Sequence, residues 1–220
     1  MSTITKWAPA VLALVLVSSP GVWRYSRHVI TIAHEAGHAL VALLTGRRLE
    51  GIKLKSDTSG VTVSRGRPTG PAVVLMYFAG YVTPSLLGLG AAALVTAEQV
   101  RPLLWATVAL LAGMLVMIRN AFGVLSVVLT GGVMFAVSWY ATAEWQAAFA
   151  LLVAWFLLLG GVRPVGELHR RRRRGLDRQS DADQLARITR VPGLVWVVVF
   201  AVATIGLLLL GGRLLLPFEL

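Results

Sequence analysis

Long apolar runs recur along nearly the whole chain, and short polar stretches separate them. Seven runs have about the 17 to 25 residues that a helix needs to cross a bilayer core. They lie at about 7–23, 28–46, 71–95, 102–118, 121–141, 146–162 and 194–212. The pattern predicts an α-helical polytopic membrane protein with six to seven transmembrane helices, folded as one membrane-embedded domain over residues 1–220. Pro20 and Gly21 shorten the first run, which is expected to be a retained anchor.

A period of two interrupts the helical pattern at residues 49–66. Apolar and polar side chains alternate on either side of the segment Ser56-Asp57-Thr58-Ser59-Gly60. This alternation predicts a small β-hairpin between the second and third helices, just inside the cytoplasmic boundary. Ile52 and Leu54 are expected to face one way, and Val61 and Val63 repeat the period.

A second polar stretch, residues 163–193, contains many of the basic residues. Within it, Ser180 followed by Asp183 matches a helix-capping pattern. Leu185 and Ile188 then share one face of the helix that would follow. The stretch is therefore predicted to contain one short amphipathic helix.

Composition and charge also favour a membrane protein. Hydrophobic residues make up 56% of the chain, against about 45–50% in soluble domains. If successive loops alternate between two sides, 17 of the 21 lysine and arginine residues share the side of the N-terminus, and the other side holds only Arg24, Arg27, Arg101 and Arg213. This bias predicts a cytoplasmic N-terminus. The run Arg170–Arg174 is then expected to face anionic lipid, and no nucleic-acid partner is expected despite the net charge of +11.

The second apolar run contains the sequence His34-Glu35-Ala36-Gly37-His38. An ionisable residue at the centre of a membrane helix costs roughly 2.5 to 3.5 kcal/mol on insertion scales, so this cluster needs a compensating partner. Because His34 and His38 are four residues apart, helical geometry places both imidazoles on one face, where they can bind one metal ion. Zinc suits imidazole ligands, and the chain has no cysteine to offer a thiolate instead.

Glu35 lies beside the face that carries the histidines. It is placed to activate a zinc-bound water for attack on a peptide carbonyl. Ala36 and Gly37 keep the helix slim, so that another segment can approach it closely. The alternative is a buried hydrogen-bonded cluster that braces neighbouring helices. His28 and His169 are expected to be solvated and to have no catalytic role.

The third metal ligand is sought among the acidic residues. No apolar run contains an aspartate, and the last polar stretch holds Glu167, Asp177, Asp181 and Asp183. If Ser180 caps the short helix, Asp183 has a structural task at its third position, whereas Asp181 is freer to turn toward a metal. Asp181 is therefore favoured over Asp183 as the ligand. The alternative is that both aspartates only complement the helix dipole.

Four segments together resemble the M50 metallopeptidases, the site-2 protease class, and in particular a small M50B-like branch found in bacteria. They are the H-E-A-G-H helix, Ala79-Gly80-Tyr81, Arg119-Asn120 and Ser180-Asp181-Ala182. The resemblance implies zinc-dependent cleavage of membrane-associated proteins in the bacterial cytoplasmic membrane. Its expected partners are the lipid bilayer, a membrane-protein substrate and a regulatory membrane partner. The chain departs from better-known members, which carry the third ligand in an Asp-Gly motif, preceded by an asparagine, within a later membrane helix.

The same resemblance suggests roles for two further elements. Asn120, beside Arg119, would hydrogen-bond a substrate carbonyl or the developing oxyanion, and a helix-breaking structural role is an equal alternative. The hairpin would offer a free strand edge to an extended substrate, or would be a plain connection.

Other functional classes are kept as alternatives. A catalytically inactive relative, or a metal-transport or metal-binding module, could use the same cluster of His34, Glu35 and His38. A transporter would need further polar residues on facing helices, and the apolar runs offer few. A membrane peptidase that trims prenylated C-termini would share the motif, but the short connections here leave less room for that architecture. The sequence favours a zinc endopeptidase and leaves its substrate and oligomeric state open.

Overall fold

The computed structural model describes residues 3–176 and 179–216, with side chains from residue 7 onward. The helices and strands of this part of the chain confirm the helical class and the hairpin between the second and third helices. In chain order they are α1 Thr3–Ser18, α2 Pro20–Leu44, β1 Arg48–Leu54, β2 Gly60–Arg65, α3 Pro71–Thr96, α4 Val100–Met117, α5 Ala121–Tyr140, α6 Ala143–Arg173, α7 Asp181–Thr189 and α8 Gly193–Leu215.

Five of the helices in the described ranges are long and apolar enough to cross a membrane, namely α3, α4, α5, α6 and α8. A sixth candidate arises if α1 and α2, which meet at an angle of 101°, count as one bent span. The structure therefore has five to six candidate spans, which agrees with the lower end of the predicted six to seven.

The first break between helices lies at Ser19, not between residues 23 and 28. α2 begins at Pro20, which fits the first turn of a helix because its missing N–H has no hydrogen bond to make there. The polar residues 24–28 interrupt the apolar pattern but continue the helix. Because these residues are polar, the boundary between the first two helices was predicted too late in the chain. The first two predicted runs correspond to α1 and α2, which meet at a sharp bend.

The start of α2 packs against the C-terminal part of α6 through a charged cluster. Glu167 accepts hydrogen bonds from Trp23 Nε1 at 2.9 Å and from Arg163 Nε at 3.1 Å. The second oxygen of Glu167 lies 3.2 Å from Arg27 Nη1. Arg27 thus lies beside Arg163, although the count of loop charges placed these two residues on opposite sides. The orientation of the N-terminus itself stays a prediction.

α3 is the central helix, because it packs against α2, α6 and α8. Lipid provides no hydrophobic driving force between helices, so close contact depends on small residues. Gly88 of α3 lies against α6, where an added Cβ would be 2.8 Å from the backbone nitrogen of Leu158. Gly161 of α6 lies in turn against Ser85 of α3, where a Cβ would be 3.1 Å from the backbone nitrogen.

The hairpin is antiparallel and pairs Ile52 with Thr62 and Leu54 with Gly60. Ile52 and Leu54 are both about 1% exposed, whereas Val61 and Val63 are exposed. Side chains alternate between the two faces of the hairpin in both strands, as predicted. Val61 and Val63 lie on the face opposite to Ile52 and Leu54.

Residues between α4 and α5 cover the outer edge of β1. Ile118 forms a parallel bridge with Ile52, and the backbone N–H of Arg119 donates to the Ile52 carbonyl at 2.8 Å. The side-chain amide of Asn120 accepts from Leu54 N at 3.1 Å and donates to Leu54 O at 2.7 Å. The Asn120 amide therefore makes the hydrogen bonds to β1 that the backbone of a neighbouring strand would make.

The hairpin lies along α2 and contacts the helix at Thr31 and Glu35. Thr31 donates its hydroxyl to the carbonyl of Thr58 at 2.9 Å, and Thr62 donates to Glu35. β2 therefore packs against the turn of α2 that carries the H-E-A-G-H sequence.

Gly88→Ala tests the packing of α3 against α6. The new methyl group would press on the Leu158 backbone and should lower the free energy of unfolding by about 1–3 kcal/mol. Gly90→Ala is the matched control, since nothing lies within 4 Å of a Cβ at that position of the same helix. Reversible unfolding in mixed detergent micelles measures both, and equal losses of stability would contradict the close packing.

Candidate metal centre

α2 places His34 and His38 one turn apart on the side of the helix that faces α3. Their Nε2 atoms lie 3.0 Å from each other, and the ring planes are nearly perpendicular. His38 is buried, and His34 is partly buried. The spacing of four residues thus brings two ligand atoms to one point, as the sequence predicts.

Asp181, the first residue of α7, brings a carboxylate to the same point. Its Oδ2 atom lies 3.2 Å from His34 Nε2 and 3.3 Å from His38 Nε2. Asp183 instead completes a capping box with Ser180, whose backbone N–H and hydroxyl donate to Asp183 Oδ2 at 3.2 and 2.6 Å. The sequence suggested that Asp183 caps α7 and leaves Asp181 free to turn toward the histidines. The structure places the two side chains in these positions.

The separations of the three atoms match the size of a small metal ion. Tetrahedral zinc, with bonds of about 2.0 to 2.2 Å to nitrogen and oxygen, needs ligand atoms about 3.3 to 3.5 Å apart. The observed distances among His34, His38 and Asp181 are 3.0, 3.2 and 3.3 Å. A modest widening of this triangle would accommodate the ion.

The hydrogen bonds around the three ligand atoms also fit a cation. The Nδ1–H of His38 donates to the Met76 carbonyl at 2.7 Å, so in the neutral imidazole Nε2 carries a lone pair. Asp181 Oδ2 is buried against the two histidine Nε2 atoms and has no other hydrogen-bond partner among the described residues. Burial alone would raise the pKa of the Asp181 carboxyl, but the adjacent imidazoles hold that pKa below its usual range. The ionised carboxylate therefore lies against two imidazole nitrogens, and positive charge at this point, from a ring proton or a bound cation, stabilises it.

Glu35 lies beside the histidines and is held by the hairpin. One of its oxygens lies within 4.8 Å of the ligand nitrogens. Glu35 Oε2 accepts a hydrogen bond of 2.6 Å from the Thr62 hydroxyl. Gly60, at the start of β2, leaves the space that the carboxylate occupies, since a Cβ there would collide with it. Glu35 is only 4% exposed, so its position is set by protein contacts.

α3 packs closely on the other side of the histidines. A Cβ on Gly80 would lie 2.9 Å from His34 Cε1 and would collide with the His38 ring. Tyr81 makes an edge contact with His34 at 4.9 Å between ring centroids and stacks on Phe200 of α8 at 4.7 Å. Gly37 likewise faces α3 closely, as expected from the small residues of the motif. The segment Ala79-Gly80-Tyr81, one of the four that carry the family resemblance, therefore lies at the candidate metal centre.

The structure brings His34, Glu35, His38 and Asp181 together. It places Arg119 and Asn120 at the outer edge of β1, where the Asn120 amide is bonded to Leu54. A contact of either residue with substrate stays a prediction.

Sequence reasoning missed Thr62 and the Met76 carbonyl. In the sequence Thr62 is a polar residue between two valines, and only its pairing with buried Ile52 shows that it lies on the buried face of the hairpin. A backbone carbonyl carries no sequence signal at all.

Gly80→Ala tests the close approach of α3 to the histidines. The added methyl group would displace the imidazoles. Loss of residues that support metal ligands typically lowers metal affinity about 10- to 100-fold, and the affinity for Zn²⁺ or Co²⁺ should fall by at least this much. Gly90→Ala, on an open part of the same helix, should bind as the unmodified protein does. Metal titration of the purified protein measures this, and unchanged affinity in Gly80→Ala would contradict the geometry.

Comparison with known proteins gives one match. The family model described as Peptidase M50B-like matches residues 7–211, a range that includes α2, the hairpin and α7. No curated protein and no solved structure matches the chain. Because the matched range covers most of the 220 residues, the chain belongs to the Peptidase M50B-like family.

Proposed function

We propose that this protein is a zinc-dependent intramembrane endopeptidase that cleaves membrane-associated proteins. The observation that carries the proposal is the convergence of Asp181 Oδ2 and both histidine Nε2 atoms on one buried point, at separations that suit a small metal ion. His34, His38 and Asp181 would hold the ion. Three protein ligands leave a fourth position open, which distinguishes a catalytic zinc site from a closed structural one.

Glu35 is the general base in this proposal. The ion, when bound, would lower the pKa of a water molecule and polarise the scissile carbonyl. Glu35 accepts the proton of the attacking water as the new C–O bond forms, and passes it to the amide nitrogen as the C–N bond breaks. Thr62, through its hydrogen bond to Oε2, keeps the carboxylate turned toward the histidines. The burial of Glu35 restricts access of bulk water to this proton transfer.

β2 is the element that would hold the substrate extended. In the described ranges the sheet has two strands, and residues 118–120 cover the outer edge of β1. The outer edge of β2 is therefore the one at which a peptide strand can add. Since Thr62 lies on β2, a strand added there would run beside Glu35.

Arg119 and Asn120 fit this proposal through the hairpin. Asn120 binds both backbone groups of Leu54, which fixes β1 and hence the position of β2. We propose this support as the first role of the pair, ahead of a direct oxyanion contact. The bacterial cytoplasmic membrane, a cytoplasmic N-terminus and a regulatory membrane partner belong to the same proposal.

Two substitutions test the roles of the acidic residues. Glu35→Gln should keep bound zinc but lose cleavage by about 10²- to 10⁴-fold, because the general base is removed. Asp181→Ala should lose the zinc as well as the activity. Zinc content of the purified protein, and mass-spectrometric detection of cleaved single-span peptides reconstituted with it, measure the two effects.

Glu144, which is exposed, offers a matched control for the acidic substitutions. Glu144→Gln removes a carboxylate that is distant in the chain from His34, His38 and Asp181, so it should change neither zinc content nor cleavage. Full zinc occupancy in Asp181→Ala would rule out the third ligand. A lack of zinc in the unmodified protein would rule out the proposal as a whole.

Thr62→Val tests the hydrogen bond from the hairpin to the base. Hydrogen bonds to charged groups contribute about 1.5–3 kcal/mol, so kcat should fall about 10- to 100-fold while zinc content stays unchanged. Thr62→Ser keeps the hydroxyl and should recover most of the rate. Val61→Thr, on the exposed face of the same strand, is the control. If Thr62→Val and Val61→Thr cleave equally fast, the hairpin does not position Glu35.

A further inference from the structure

One arginine of the basic run at the end of α6 points inward. Arg172 is 22% exposed at its side chain, whereas Arg170, Arg171, Arg173 and Arg174 are exposed. The sequence treated the five residues as one lipid-facing anchor. Arg172 therefore has a different task from its neighbours.

The guanidinium of Arg172 joins three helices. Its Nη1 forms an ion pair with Asp183 of α7 and lies 3.4 Å from the hydroxyl of Ser180. It also packs against the first residue of α8, since a Cβ on Gly193 would collide with the guanidinium. The contact thus fixes the start of α7 against the end of α6 and the start of α8.

We propose that Arg172 is a positioning residue for the metal centre, acting through the capping box on Asp181. This inference rests on the proposed role of Asp181 as a zinc ligand. Apart from the two histidine nitrogens, Asp181 Oδ2 has no hydrogen-bond donor among the described residues, so the backbone of the first turn of α7 sets where its carboxylate meets them. That turn is held by Ser180 and Asp183, and these two residues are held by Arg172.

The remaining contacts of α7 are apolar and hold one residue of its first turn, Ala182, together with the body of the helix. Leu185 and Ala182 are fully buried in a cluster with residues of α3, α6 and α8, including Phe200. Ile188 packs against the cluster of Ala42, Val73 and Met76. These apolar contacts keep α7 folded against the bundle when the Arg172 ion pair is lost, while the capping box that precedes Ala182 is no longer held by the guanidinium.

The test compares Arg172→Gln with Arg173→Gln in the full-length protein, by titration with Zn²⁺ and with Co²⁺. Loss of a supporting contact behind a metal ligand typically weakens metal affinity about 10- to 100-fold, and this loss is expected for Arg172→Gln. Arg173→Gln, one residue away in the exposed part of the run, should stay within about 2-fold of the unmodified protein, as surface substitutions do. The visible absorption of bound Co²⁺ should change shape only in Arg172→Gln.

Two further variants separate positioning from general destabilisation. Arg172→Lys keeps the charge opposite Asp183 and should recover part of the affinity. Asp183→Asn should weaken binding in the same direction, and combining it with Arg172→Gln should add little, because both remove one interaction. The unfolding midpoint of the metal-free protein should be similar in Arg172→Gln and Arg173→Gln.

Equal affinities of Arg172→Gln and Arg173→Gln would overturn this inference alone, provided that the unmodified protein binds zinc and Asp181→Ala does not. A loss of affinity in Arg172→Gln without any recovery in Arg172→Lys would overturn it as well. Absence of zinc binding in the unmodified protein would instead overturn the proposed function, and the inference with it.

Discussion

Two imidazole nitrogens and one carboxylate oxygen meet in the buried centre of this molecule, and the surrounding structure is organised around that contact. His38 donates its Nδ1 proton to Met76, and its Nε2 atom lies 3.3 Å from the Asp181 carboxylate. Burial removes the water that would separate these atoms, and the lower dielectric strengthens the electrostatic interactions among them. A single proton can be shared by only two atoms, whereas a divalent ion can bind Asp181 and both histidines at once. A metal ion at this point would therefore stabilise the whole arrangement.

Close packing on both sides of α2 keeps these atoms together. On one side, Gly80 lets α3 approach until its backbone lies against the imidazoles, and Met76, one turn earlier, supplies the carbonyl that orients His38. On the other side, Gly60 and Thr62 of β2 enclose Glu35. Glycine is needed at both contact points because the space for a Cβ is taken by the His38 ring at Gly80 and by the Glu35 carboxylate at Gly60. The proposed ligands and the proposed base are thus supported by different elements.

The sequence predicts the parts of this site that depend on local geometry. Helical spacing places His34 and His38 together, and the capping pattern of α7 separates the task of Asp183 from that of Asp181. What it cannot predict depends on residues that are distant in the chain: the face of Thr62 is set by strand register, and the inward direction of Arg172 by where α7 packs. The start of α2 was misplaced for a related reason, since polar residues 24–28 resemble a loop until α6 supplies Glu167 as their partner.

The two edges of the hairpin are unequal, and this difference links the fold to the proposed chemistry. Ile118 and Asn120 occupy the edge of β1, so an incoming strand is directed to β2. Thr62 on β2 bonds Glu35, and it is therefore adjacent to both the added strand and the base. Substrate addition at this edge would order the strand that holds the carboxylate, since pairing restricts the motion of an open edge. Under the proposed function, Glu35 would then be held best when a peptide is present to be cleaved.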